Sequence, residues 1–154
     1  MPLKNQYEVI IVGYGPLGQL CGLLLSKLGI RTAIIERYKD INPLPRASVV
    51  DGQILRLMSA IGIYDDIKTI FNTPEFLDYI LPDGKIIQRS IVKETSDGYP
   101  NVSTFYQPDL ENALRIMISK SNLIDLYLQH DLISFNETES NVSVKCKNIE
   151  ENKL

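Results

Sequence analysis

Apolar residues follow two rhythms along this chain, one of short β-branched runs and one of helical spacing. Tyr7, Val9, Ile10, Ile11 and Val12 form a run that predicts a strand buried on both faces. Apolar positions over 16–28 predict a helix, with Gly29 where a helix-ending glycine belongs. A second β-branched run over 32–35 ends on Glu36. Residues 37–47 carry Pro43 and Pro45 and predict a long loop. Asp51 then caps a helix to about Ile61, in which Ile54, Leu55, Met58 and Ile61 recur at core spacing. Gly62 stops it, and 64–70 reads as a further short helix.

Beyond that point the rhythm is mainly that of strands. Runs over 76–81 and 86–92 flank Pro82-Asp83-Gly84-Lys85, which predicts a hairpin. Residues 93–101 read as loop and 102–106 as a short strand. Pro108 opens a helix with Leu110, Leu114 and Met117 on one side; Glu111 and Lys120 favour its dipole. A third strand over 124–128 is expected parallel to the first two. A hairpin of 132–135 with 142–146 follows, turning at 137–141, and 147–154 is expected to lack structure.

Between the first strand and the first helix lies Gly13-Tyr14-Gly15-Pro16-Leu17-Gly18. Gly13 turns the chain off the strand, and Gly15 lets backbone approach a pyrophosphate. Gly18, with Gly22, lets the helix lie close to the sheet. Pro16 suits a first helical turn, where its missing N–H has no partner to lose. The N–H groups of that turn, Leu17 and Gly18 among them, combine with the helix dipole into an anion site needing no Lys or Arg. Glu36 follows at the spacing where a carboxylate accepts both hydroxyls of an adenosine ribose, and its charge repels a 2′-phosphate. Strand, glycine turn, helix, strand and acid in register predict an α/β fold, the nucleotide-binding half of a doubly wound sheet. Tyr14 is unusual where a small residue is common. A side chain pointing away from the turn is compatible with a site read through backbone.

The chain has 154 residues, 44% of them hydrophobic, which suffices for the core of one domain. Its net charge of −3 gives no electrostatic reason to expect nucleic acid or an anionic membrane. The opening apolar run is too broken by glycines for a membrane span, and the start lacks a signal-peptide pattern. Cys21 and Cys146 have no metal or redox spacing and read as thiols of a reducing cytoplasm. His130 has no base-and-orienter partner in sequence and is not expected to be catalytic. Arg46, behind Pro45, is either a contact to a diphosphate or ribose or a solvated arginine. Arg37 either covers an adenine face or stays at the surface. Gln107, at a strand-to-helix junction, either reaches a ligand or caps the helix.

The glycine motif, Pro45-Arg46-Ala47, the helix after Asp51 and Gln107-Pro108-Asp109-Leu110-Glu111 together resemble the N-terminal part of the FAD-dependent aromatic hydroxylases. These are the group around p-hydroxybenzoate and phenol hydroxylases. The 3-(3-hydroxyphenyl)propionate hydroxylase branch is most similar, and the likeness runs over 7–146. The resemblance implies a Rossmann-like FAD-binding domain: a three-stranded parallel core with helices and hairpins, incomplete here. It implies FAD as cofactor, with Gly13, Gly15, Pro16, Leu17 and Gly18 at the pyrophosphate and Glu36 and Arg37 at the adenosine. Arg46 and Gln107 would meet the diphosphate and ribityl region. NAD(P)H would reduce the flavin, and O₂ would then hydroxylate an aromatic small-molecule substrate.

The family's later Asp-Gly and Gly-Asp motifs are not in this sequence, nor is most of a substrate-binding sheet. Only the hairpin within 72–106 is expected to serve as a substrate wall. The expectation is therefore a fragment of a longer protein or the product of an interrupted gene, inactive alone. Its first strand would have an unfilled edge open to pairing with another chain. Two other readings stay open: a different FAD or NAD oxidoreductase, and a non-catalytic nucleotide-binding module completed by a partner.

Overall fold

The computed structural model describes residues 6–150. The expectations of no signal peptide and of an unstructured extreme C-terminus fall largely on residues outside that range. Two compact units emerge: residues up to Pro43 with those from Glu111 onward, and Leu44–Leu110.

The first unit is built on a parallel sheet of β1 (Val9–Val12), β2 (Thr32–Glu36) and a strand at Ile124–Leu128, with β2 in the middle. Helix α1 (Pro16–Lys27) links the first two strands, as the glycine turn predicts. It ends in paired bonds from Gly29 N to Ser26 O (3.1 Å) and Ile30 N to Leu25 O (2.9 Å). Gly29 sits at φ +80°, a conformation that costs glycine little. Burial on both faces belongs to β2, whose Thr32, Ala33, Ile34 and Ile35 are all buried. The expectation that β1 shares this burial fails: Val12 is 55% exposed, because β1 pairs only with β2 among the described residues. Ile34, Ile118, Ile124 and Tyr14 form the core cluster.

In the second unit, β3 (Val49–Val50) pairs antiparallel with a strand at Ser103–Thr104. Helix α2 (Gly52–Ala60) begins at Asp51, whose carboxylate accepts from Ile54 N at 3.0 Å, and buries Leu55 and Met58. Helix α3 (Tyr64–Ile67) runs into a 3₁₀ turn at Lys68–Ile70. The hairpin of β4 (Phe76–Ile80) and β5 (Ile86–Ile91) turns through Gly84 at φ +87°. Strand β6 (Ser103–Thr104) is shorter than the 102–106 reading. Its partner is only a two-residue strand that alternation could not reveal.

Helix α4 (Gln107–Ile118) starts one residue before its proline. Leu110, Leu114 and Ile118 are its buried positions. Glu111 is buried too; Asp109 is the first-turn acid and Arg115 the last-turn base. After β7 (Ile124–Leu128), the final hairpin is longer than its apolar core suggests: β8 (His130–Glu137) and β9 (Val142–Asn148). Lys147 and Asn148, read as unstructured, pair with Asp131 and His130. Backbone pairing at that end does not need apolar side chains.

Candidate nucleotide site

The amino end of α1 meets three requirements for holding a phosphate. Gly15 at the N-cap is extended, with φ −77° and ψ −176°, and no side chain caps the helix. A Cβ built on Gly13 or Gly15 meets nothing within 4 Å, so the turn faces open space. Gly13 sits at φ +110°, where L side chains are strained, while its N–H stays bonded to Ile35 O at 2.8 Å. A Cβ on Gly18 would lie 2.0 Å from Gly13 O, so helix and turn touch through backbone there. Gly22 abuts the Ile34 side chain at a hypothetical 2.8 Å.

Glu36 ends β2 beside this turn. Its Oε2 accepts from Tyr14 N at 2.8 Å and its Oε1 from Tyr38 N at 2.9 Å. Each carboxylate oxygen has a second lone pair, so both can still accept from a ligand. Tyr14 is pinned from the other side as well, since the buried Gln19 donates Nε2–H to Tyr14 O at 2.7 Å. The phenol itself points away from the turn into the core, only 2% exposed, with the Arg115 guanidinium 4.7 Å from its ring centroid. Burial raises its pKa, partly opposed by Arg115. Tyr14 therefore anchors the glycine turn from behind.

Val12, Gly13, Ile35, Glu36, Arg37, His130, Asp131 and Leu132 line a crevice of about 290 Å³ at the carboxyl ends of β1 and β2. That is near the lower end of ligand pockets, the size for a nucleoside rather than a whole dinucleotide. Arg37 Nε lies 3.5 Å from Asp131 Oδ1 and its Cζ 5.8 Å from the Tyr38 ring centroid. His130 and Asp131 are the crevice residues that sequence reasoning missed, because only the turn after β7 brings them here.

Arg46 and Gln107, each assigned by the resemblance to the diphosphate and ribityl region, meet one another within the second unit. The contact, however, is to Arg46 backbone: Gln107 Oε1 accepts from Arg46 N at 2.8 Å and Ala47 N at 2.7 Å. Gln107 is buried and ties down the proline loop, while Arg46 is exposed. The loop's lost backbone partners are what this amide replaces.

A larger cavity of about 600 Å³ lies between the Ile10, Ala33 and Ile35 face of the sheet and β9. Tyr7 lines it, bonded to Tyr127 and, at 3.0 Å, to Asp125, which Arg31 Nη2 meets at 2.9 Å. Burial and these bonds raise the Tyr7 phenol above its usual range. Cys21 and Cys146 are unpaired thiols, and there is no metal-ligating cluster among the described residues. No described helix is long and apolar enough to cross a membrane.

An uncapped helix start, a glycine turn open on one side and an acid held at the end of β2 define a dinucleotide-binding class of domain. Residues 6–153 match the FAD binding domain family, and the chain belongs to it. It is 22% identical over 144 residues to a 3-(3-hydroxy-phenyl)propionate/3-hydroxycinnamic acid hydroxylase of Comamonas testosteroni. That alignment covers 94% of this chain and 24% of the relative. The Escherichia coli K12 hydroxylase of the same name is 22% identical over 148 residues, covering 96% and 27%. Among solved structures, p-nitrophenol 4-monooxygenase PnpA of Pseudomonas putida DLL-E4 superposes with a TM-score of 0.79 at 20% identity, covering 95% of this chain and 38% of that one. The flavin-dependent monooxygenase PieE, solved with FAD and substrate, gives 0.80 at 19%, covering 96% and 28%. The chain thus spans about a quarter of the length of the curated relatives it matches. FAD is the cofactor of the family, and the open turn and fixed acid fit it.

Proposed function

We propose that this chain is the N-terminal FAD-binding portion of a flavoprotein monooxygenase that hydroxylates phenolic or similar aromatic substrates with NAD(P)H and O₂. The observation that carries it is Glu36, tied to Tyr14 N–H at the uncapped start of α1 and lining the adjoining crevice. In this reading the turn of Gly13, Gly15, Pro16, Leu17 and Gly18 takes the pyrophosphate, and Glu36 the adenosine ribose. Arg37, by pairing with Asp131, borders the base; Arg46 and Gln107 serve the diphosphate and ribityl end, Gln107 by holding the loop. Bound FAD supplies the redox chemistry, and the chain supplies placement and exclusion of water. The β4–β5 hairpin contributes to a substrate wall, with Phe76, Tyr79 and Ile87 exposed as such a wall requires. The two unpaired thiols suit the reducing cytoplasm.

By itself the chain binds FAD weakly and does not turn over, the inactivity being supported by its covering a quarter of its hydroxylase relatives. The test is FAD absorbance of the purified chain together with NAD(P)H-dependent oxygen uptake on phenols. Bound flavin without phenol-dependent uptake is expected. Absence of flavin binding would refute the cofactor role, and turnover would refute the inactivity. A second reading, a nucleotide-binding module completed by a partner, draws on the open edge of β1 and the exposed Val12. Co-purification of a chain that pairs with β1 would favour it.

A further inference from the structure

Near their amino ends, β1, β2 and β7 are tied together through Arg31, the residue before β2. Its carbonyl accepts from Glu8 N at 3.2 Å and Val9 N at 3.4 Å, and its own N–H donates to Glu8 Oε2 at 2.8 Å. Its guanidinium reaches the other way: Nη2 lies 2.9 Å from Asp125 Oδ2 on β7, and Cζ 5.2 Å from the Tyr7 ring centroid. Tyr7 donates to the same Asp125 oxygen at 3.0 Å. That bond joins the lead-in of β1 to β7 across β2, a span of about 10 Å or two strand spacings. Ala33, paired with Asp125 and lining the same cavity as Tyr7, is the smallest side chain of β2, which suits a phenol crossing there.

Strand β1 has little else to fix its position at this end. Val9-Ile10-Ile11-Val12 is apolar and β-branched throughout, so a slip along β2 exchanges like for like on either face. Among the described residues it pairs with β2 alone, and no second ladder holds it. Arg31 and Asp125 are 39% and 30% exposed, so their charge attraction by itself contributes little. What the contact supplies is geometry, two donors meeting one carboxylate oxygen at one register only.

We propose that Arg31, Tyr7 and Asp125 form a staple that sets the register of β1 on β2 and thereby positions the glycine turn at the far end of the strand. They are positioning residues and stand apart from the crevice that Glu36 lines. The consequence for cofactor binding rests on reading that turn as the pyrophosphate site; the register does not.

The test is residue-resolved amide hydrogen exchange of the full chain as wild type, Tyr7→Phe, Arg31→Met and Arg31→Lys. Gly13 N–H, bonded to Ile35 O at 2.8 Å, reports the far end of β1, and Leu114, buried within α4, reports global opening. Fraying confined to Tyr7 would not reach Gly13, and a general loss of stability would speed both amides alike. Loss of one net hydrogen bond corresponds to Gly13 exchanging about fivefold faster in Tyr7→Phe and Arg31→Met, with Leu114 within about twofold of wild type. Arg31→Lys, which keeps a donor for Asp125, is expected to restore part of the protection. Gly13 unchanged in both variants, or Gly13 and Leu114 accelerated together, overturns the inference; should Arg31→Met not fold, Tyr7→Phe decides alone. Saturating FAD is expected to slow Gly13 again in Tyr7→Phe, because binding favours the turn in place. FAD that binds without slowing Gly13 refutes the pyrophosphate reading of the turn and leaves the staple standing.

Discussion

Tyr14 N–H donates to Glu36 Oε2 at 2.8 Å, fastening the glycine turn to the end of the second strand. One carboxylate thus does two things: it holds the turn's shape and keeps lone pairs toward the crevice. The same tyrosine buries its ring among Ile34, Ile118 and Ile124. The amino end of α1 is therefore tied to the core through Tyr14.

Gly18 and Gly22 should differ sharply in tolerance. Gly18→Ala places a methyl against Gly13 backbone, which cannot yield without moving the turn. A loss of about 1–3 kcal/mol is expected, or roughly 2–12 °C in thermal melting. Gly22→Ala meets only the tip of Ile34 and gains helix propensity, so it should stay within about 1 kcal/mol of wild type. Equal melting temperatures for the two variants would contradict the backbone contact.

Gln107→Leu leaves Arg46 N and Ala47 N without their acceptor. Because that loop is exposed and water can partly replace the amide, a cost of about 1–2 kcal/mol is expected. Trypsin should cut after Arg46 faster in Gln107→Leu than in Gln107→Glu, which keeps an acceptor. Equal cleavage would show that the side chain does not hold the loop.

Arg89 grips Asp78 through two 2.6 Å bonds across the β4–β5 hairpin, and these hold the carboxyl below its usual range. A depressed folded-state pKa stabilises above the unfolded value of about 3.9, and that stabilisation is lost as pH falls through the folded value. The advantage of wild type over Asp78→Asn in urea midpoint should be constant above about pH 5 and shrink toward pH 3. An advantage that does not change with pH would mean the ion pair contributes nothing.

Much of both units was legible because their signals are local. The β-branched runs, the glycine spacing and Glu36 each follow from two or three neighbouring residues, as do the Asp51 cap and the Pro82–Lys85 turn. The fate of the Tyr14 ring was not legible, since it depends on Arg115, Ile118 and Ile124, about a hundred residues away. Gln107 stands at the strand-to-helix junction that its neighbours predict, but its acceptor role depends on where the proline loop returns. His130 has no sequence neighbour that ties it to the crevice it lines with Glu36; the turn at Gln129, with φ +58°, comes just before it. The β3–β6 pair, two residues on each side, is too short for alternation to register.

The most direct test is calorimetric titration of FAD into the wild-type chain and Glu36→Ala, with FMN, which lacks the adenosine, as comparison. Wild type should prefer FAD, and removal of the carboxylate should weaken FAD by about tenfold or more while leaving FMN unchanged. FAD binding no better than FMN, or FAD binding undiminished in Glu36→Ala, would contradict an adenosine held at the end of the second strand.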